Sequence, residues 1–303
     1  MAGEGYQIRT DLALETQERI KNSKKNLRGI EFREEERENG IIISTVSIGT
    51  ENAAKTMGRP KGKYITIEAP QLSEDDTGYH REVSKEISEV LRALILEVEN
   101  RMHLHVEKGE LSVLVVGLGN REVTPDSLGP RVVDNLFITR HIVKEYGKYA
   151  FGNEIVNRIS GIVPGVMAQT GMESVEIIRG IVKETDPDFV ITIDALAARS
   201  TKRLGRTIQL TDTGIVPGSG VGNHRNALNM ESVGVPVISI GVPTVVDAAT
   251  IVSDAVNANR DTVEDFMSPK LHDMYVTPKD IDDTIKQLSF LISEGLNIAF
   301  TEA

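Results

Sequence analysis

Two aspartates, Asp126 and Asp194, have the sequence surroundings that best suit catalysis. Asp194 ends the apolar run DFVITID, and Asp126 lies in the loop TPDSLGP, shortly after the apolar run LSVLVVGLGN. Such runs are typical of strands buried on both faces of a parallel sheet, and the carboxyl edge of such a sheet is where sites are built. We expect the two carboxylates to converge on one water, one as base and the other as acid.

Each aspartate also has simpler interpretations. Asp is a favoured helix N-cap residue, so either side chain could serve a purely structural role. A carboxylate in surroundings as apolar as those of Asp194 is expected to be partly desolvated, which favours its neutral form. The same pair could hold a divalent metal ion together with His224, from the glycine-rich segment GSGVGNHR, and form a metal-dependent peptidase. The residues alone leave these alternatives open.

Gly117 and Gly119 belong to the segment GLGN, which follows the second apolar run. A G-x-G sequence after a strand suggests a loop that binds a dinucleotide, but position 122, where a third glycine is expected, is Glu. A nucleotide-binding regulatory module is therefore a weaker alternative. In an enzyme, the two glycines would let the main chain approach a substrate, and His224 would act as an oxyanion partner or metal ligand.

The elements that must position these residues alternate between strand and helix along the chain. This alternation predicts an α/β fold: a mixed, mostly parallel sheet with helices on both faces, phosphorylase/hydrolase-like, in a single domain. We expect ENAAKTMGRPKGK to form a loop and EFREEEREN to be a solvated charged run. Apolar spacing predicts helices over about 11–25, 79–107, 127–140, 172–186, 244–256 and 279–299, the second of them capped by Thr77 or Ser73.

Composition excludes several classes of function. The chain of 303 residues has no Cys, so disulfides and thiolate chemistry are excluded and a reducing compartment is expected. A net charge of −11 argues against direct nucleic-acid binding. No apolar stretch is long enough for a transmembrane helix, and MAGEGYQIRTD does not read as a secretory signal, so we expect no membrane association.

Several long segments together resemble the germination protease family of spore-forming bacteria, and more distantly the hydrogenase-maturation endopeptidases. The resemblance rests on RTDLALE, GLGNREVTPDSLGPRVVDNL, GIVPGVMAQTGMES, DFVITIDALAAR and GSGVGNHRNALNMESVGVPVISIGVPTVVDA. It implies an endopeptidase of atypical aspartic type that degrades small acid-soluble spore proteins during germination, with Asp126 and Asp194 as catalytic residues. It also implies a homotetrameric zymogen in the spore core, a cytoplasmic compartment, without a cofactor. The maturation endopeptidases bind a metal through acidic residues and a His, which leaves the metal question open.

The same resemblance suggests where the zymogen is cut. Family substrates are cleaved after an acidic residue and before a bulky apolar one, with Ala next and Glu two positions further on. The sequence TDLALE, residues 10–15, fits this pattern. We therefore predict autoprocessing between Asp11 and Leu12, which divides the chain into a prosegment, 1–11, and a peptidase domain, 12–303. The alternative for Asp11 is a helix cap.

Overall fold

A mixed β-sheet runs through the protein and carries helices on both faces. The computed structural model describes residues 10–22, 28–72, 74, 76–104, 110–147, 150–151, 156–218, 226–256, 271 and 274–301. The predicted α/β class and the mixed sheet are confirmed. Among the described residues, no helix combines the length and the apolar character needed to span a bilayer.

The sheet has a parallel centre and antiparallel flanks. Its order is β1-β2-β3-β7-β8-β6-β4-β5, and the short β9 pairs with β8 beyond this path. The pairs β8–β6, β6–β4 and β4–β5 are parallel, whereas the remaining pairs are antiparallel. The strands are β1 Ile30–Glu36, β2 Ile42–Ile48, β3 Gly62–Glu68, β4 Ser112–Gly117, β5 Arg158–Ile162, β6 Phe189–Ala198, β7 Thr207–Thr211, β8 Val237–Asp247 and β9 Tyr275–Val276.

Helices cover both faces because side chains of a strand alternate between them. Val113 and Val115 of β4 join the larger core under the long helices, whereas Leu114 and Val116 join a second core on the opposite face. The helices are α1 Ala13–Asn22, α2 Glu51–Met57, α3 Thr77–Met102, α4 Leu128–Asp134, α5 Arg140–Tyr146, α6 Met167–Thr170, α7 Ser174–Thr185, α8 Met230–Val233, α9 Ala248–Val256 and α10 Ile281–Thr301.

Two segments predicted as irregular are regular elements. The segment ENAAKTM forms α2, because Thr50 accepts a hydrogen bond from the Ala53 amide and Met57 is buried. The charged run after α1 is exposed, as predicted, but residues 30–36 form β1. Its main chain pairs with β2 in full antiparallel register, so its side chains need no burial.

Two helix starts also differ from the predictions. The helix predicted over 244–256 begins only at Ala248, because β8 continues to Asp247 and pairs there with β9. The N-cap of α3 is Asp76, not Thr77, and its carboxylate accepts the amides of Gly78 and Tyr79. Ser73, the other predicted cap, lies outside the described residues.

Candidate active site

A cavity of about 790 Å³ opens beside the end of β4, and both predicted aspartates line it. Its wall continues onto β6, β7 and β8 and reaches the N-terminal segment at Thr10 and Asp11. The cavity thus brings together residues that are far apart in the sequence, and its volume lies within the range of about 300–1,000 Å³ that is typical of ligand pockets.

Asp194 lies within β6 and not at its end, which corrects the predicted position. The strand continues to Ala198, paired with β8, whereas β4 stops at Gly117 opposite Ile193. Asp194 is therefore the first β6 residue beyond the end of β4. The residue is 5% exposed, and its Oδ1 accepts a hydrogen bond of 2.9 Å from the Ala195 amide.

Asp126 ends a short 3-10 turn, Thr124–Asp126, between β4 and α4. Its Oδ2 accepts a hydrogen bond of 2.7 Å from the Asn120 amide, and its own amide donates to the Val123 carbonyl. The N-cap position of α4 is taken by Ser127. The carboxylate of Asp126 is thus held by the loop on which it lies, and it is half-buried at the cavity wall.

Glycines let this loop fold back against the sheet. Gly119 has a φ of +109°, and a Cβ there would lie 2.0 Å from the Asp126 carbonyl oxygen. At Gly117 a Cβ would lie 2.3 Å from the Gly129 carbonyl oxygen, and at Gly129 it would lie 2.5 Å from the Ile193 carbonyl oxygen. Close packing between the two aspartate-bearing segments therefore explains these glycines. Their predicted contact with substrate stays a prediction, and Gly119 lines the cavity.

Three polar side chains on the wall were not anticipated from the sequence. Arg59 follows α2, its guanidinium lies 5.8 Å from the centre of the Tyr64 ring, and its Nε is buried. Burial lowers the pKa of Arg59, and the nearby Asp11 carboxylate partly offsets this effect. Burial also raises the pKa of Tyr64. Gln209, on β7, is 6% exposed. A Gln between Ile208 and Leu210 was the only sequence signal.

The predicted cleavage site lies against the same wall. Asp11 donates its amide to the Ala197 carbonyl at 2.9 Å, and its Oδ2 accepts the Ala197 amide at 2.9 Å. Leu12 is 0% exposed and packs with Leu196, Ala198 and Val246. The carboxylate of Asp11 therefore accepts a hydrogen bond from the main chain of β6. Its alternative role as a helix cap stays a prediction.

The predicted role of His224 cannot be compared with this geometry, because residues 219–225 lie outside the described part of the chain. Within the residues that are described, no cluster of three or more His, Cys, Asp or Glu side chains has the arrangement of a metal site. Asp126 and Asp194 would supply oxygen ligands, the type that hard divalent cations prefer.

Comparisons with known proteins match nearly the whole chain. A model of the germination protease family matches residues 8–259. The germination protease of Caldanaerobacter subterraneus subsp. tengcongensis is 45% identical over 96% of this chain and 94% of that protein. Those of Clostridium perfringens (strain ATCC 13124) and Bacillus subtilis (strain 168) are 41% and 38% identical, over 97% and 98% of this chain and 95% and 94% of theirs.

Among solved structures, the [NiFe] hydrogenase maturation protease HycI from Thermococcus kodakarensis KOD1 is similar with a TM-score of 0.32. That similarity has 19% sequence identity and covers 62% of this chain and 94% of that chain. The extent and identity of the sequence matches show that the chain belongs to the germination protease family, which is a family of peptidases.

Proposed function

We propose that this protein is the endopeptidase that degrades small acid-soluble spore proteins during germination, with Asp126 and Asp194 as its catalytic residues. The observation that carries the proposal is that both carboxylates line one cavity, held there by separate segments of the chain. Family membership supports the peptidase activity, and the resemblance described above suggests the substrates.

In this mechanism one carboxylate takes a proton from a water molecule as the oxygen of that water attacks the peptide carbonyl carbon. The second carboxyl group donates its proton to the leaving nitrogen as the C–N bond breaks. The pair needs one proton between its members, an arrangement that unequal surroundings favour. The surroundings are unequal here, because Asp194 is 5% exposed whereas Asp126 is half-buried.

The decisive experiment makes Asp126→Asn and Asp194→Asn separately. Each isosteric change should lower cleavage of a peptide containing TDLALE by about 100-fold or more, since positioned acid–base groups contribute about 10²–10⁴-fold. Circular dichroism and thermal unfolding would show whether each variant folds. Full activity in either folded variant would exclude the aspartate pair.

A metal-dependent peptidase is the second candidate, because the two carboxylates that line the cavity could equally bind a cation. Treatment with a chelator separates the two mechanisms. Loss of activity that one divalent metal restores would select the metal enzyme, and activity that is unchanged after exhaustive chelation would select the aspartate pair. His224→Ala in the same assay would identify a third ligand.

We also propose that the chain is a homotetrameric zymogen in the spore core that cuts itself between Asp11 and Leu12. The docked segment supports latency, because Leu12 is fully buried and Asp11 pairs with Ala197, three residues beyond Asp194 on β6. Three residues of strand span about 10 Å, which is the distance along β6 between Asp194 and the residue that Asp11 binds. N-terminal sequencing after processing should give Leu12, and light scattering should give a tetramer.

A further inference from the structure

The N-terminal segment binds the cavity wall as a peptide ligand would. Asp11 uses its amide and its carboxylate on the carbonyl and amide of a single residue, Ala197. The first bond joins main chain to main chain, as in the binding of a peptide to a strand, and the second is accepted by the Asp11 side chain. Ala197 lies on β6 three residues beyond Asp194, and Asp11 lines the same cavity as the aspartate pair.

Gln209 holds the main chain on both sides of Leu12. Its Nε2 donates to the Asp11 carbonyl at 3.1 Å, and its Oε1 accepts the Ala13 amide at 2.7 Å. One buried amide thus satisfies an acceptor before Leu12 and a donor after it. These bonds involve only the main chain of the segment, so any peptide with the same backbone course could make them.

Arg59 contributes the charge that an acidic side chain requires. Its Nη2 donates to the Thr10 carbonyl at 2.9 Å, and its positive charge interacts favourably with the Asp11 carboxylate. Its buried Nε has no hydrogen-bond partner among the described residues. A buried guanidinium beside an amide that already binds a carboxylate favours an acidic side chain over its neutral amide.

We propose that Arg59 and the main chain of Ala197 form a subsite for an acidic side chain of a peptide substrate, that Gln209 grips the adjacent main chain, and that residues 10–12 fill this subsite in the full chain. The proposal rests on the peptidase function proposed above and adds the residues that select the substrate. In an intact chain, residues 10–12 therefore partly block the binding of a substrate at this subsite.

The test measures binding of a fluorescently labelled peptide with residues 8–15, IRTDLALE, to the full chain by anisotropy. Asp11→Ala in the protein should raise peptide affinity about 10- to 100-fold over wild type, because its own segment loses the hydrogen bond that the Asp11 carboxylate accepts from the Ala197 amide. This substitution also removes the predicted processing site, so the chain stays intact. Mass spectrometry before and after would show that protein and peptide are uncut.

Two controls make the result specific. The same peptide with Asn in place of its Asp should show no gain on the Asp11→Ala protein, and this control does not depend on how the protein folds. Adding Arg59→Gln to Asp11→Ala should abolish the gain, whereas Arg59→Lys should retain part of it. Equal peptide affinity for wild type and Asp11→Ala, or equal binding of the Asp and Asn peptides, would overturn the proposal.

Hydrolysis of the same peptide is measured separately, at longer times. If binding depends on Arg59 and on the acidic side chain as expected but the peptide is not hydrolysed, the subsite would stand and the proposed peptidase function would not. If hydrolysis depends on Asp126 and Asp194 but not on Arg59 or on the acidic side chain, the proposed function would stand and the subsite would not.

Discussion

Replacing Gly119 with alanine tests whether the loop of Asp126 must lie where the structure has it. The new Cβ would lie 2.0 Å from the Asp126 carbonyl oxygen, and ordinary contacts begin near 3.4 Å. The loop must therefore shift by more than about 1 Å, and a displacement of that size can lower a rate about 100-fold. The positive φ adds about 1–3 kcal/mol of backbone strain.

The matched control is Gly234→Ala. Gly234 has a φ of +89°, and a Cβ there would meet no atom within 4 Å. Both variants should lose stability through backbone strain, but only Gly119→Ala should lose kcat/KM, by about 100-fold. Urea unfolding and cleavage of a fluorogenic TDLALE peptide measure the two effects. A folded Gly119→Ala variant with wild-type kcat/KM would refute the link between this glycine and the position of Asp126.

Three further changes test how the scaffold is held together, each by urea unfolding against wild type. Asp76→Ala removes the carboxylate that caps α3 and should lower the free energy of unfolding by about 0.5–2 kcal/mol; an unchanged value would show that the cap is dispensable. Leu91→Ala, at a fully buried position under the sheet, should lower it by about 2–5 kcal/mol; a loss below 1 kcal/mol would contradict the packing described. Arg203→Gln should lower it by about 1–3 kcal/mol, because Arg203 lies within 3.4 Å, 2.8 Å and 3.1 Å of Glu15, Glu18 and Glu68; no change would show that this cluster contributes little.

The sequence predicted the centre of the fold well, because strands buried on both faces leave an unmistakable apolar run. β4 and β6 were found in this way, and with them the two aspartates that follow the run in each case. The position of Asp194 within β6 was not predictable. It depends on β8, which pairs with β6 beyond the end of β4. The sequence of a single strand does not show which strand it pairs with.

The flanks were predicted less well for the opposite reason. α2 is seven residues long, so its stability comes from packing and a cap rather than from a long apolar periodicity. Arg59 and Gln209 escaped notice because their roles come from contacts with Thr10 and Asp11, 49 and 198 residues away along the chain. Nothing in the local sequence of either residue indicates a partner at that distance.

The burial of Leu12 has a thermodynamic consequence for the proposed cut. Its amide now donates to the Thr10 hydroxyl, which would depart with residues 1–11. Cleavage would turn that neutral amide into an ammonium ion next to a side chain that is 0% exposed, and an unpaired charge in apolar surroundings is strongly unfavourable. The new terminus would have to leave its position for water or find a carboxylate. The two cleaved ends could not return to their original contacts, so maturation would be irreversible.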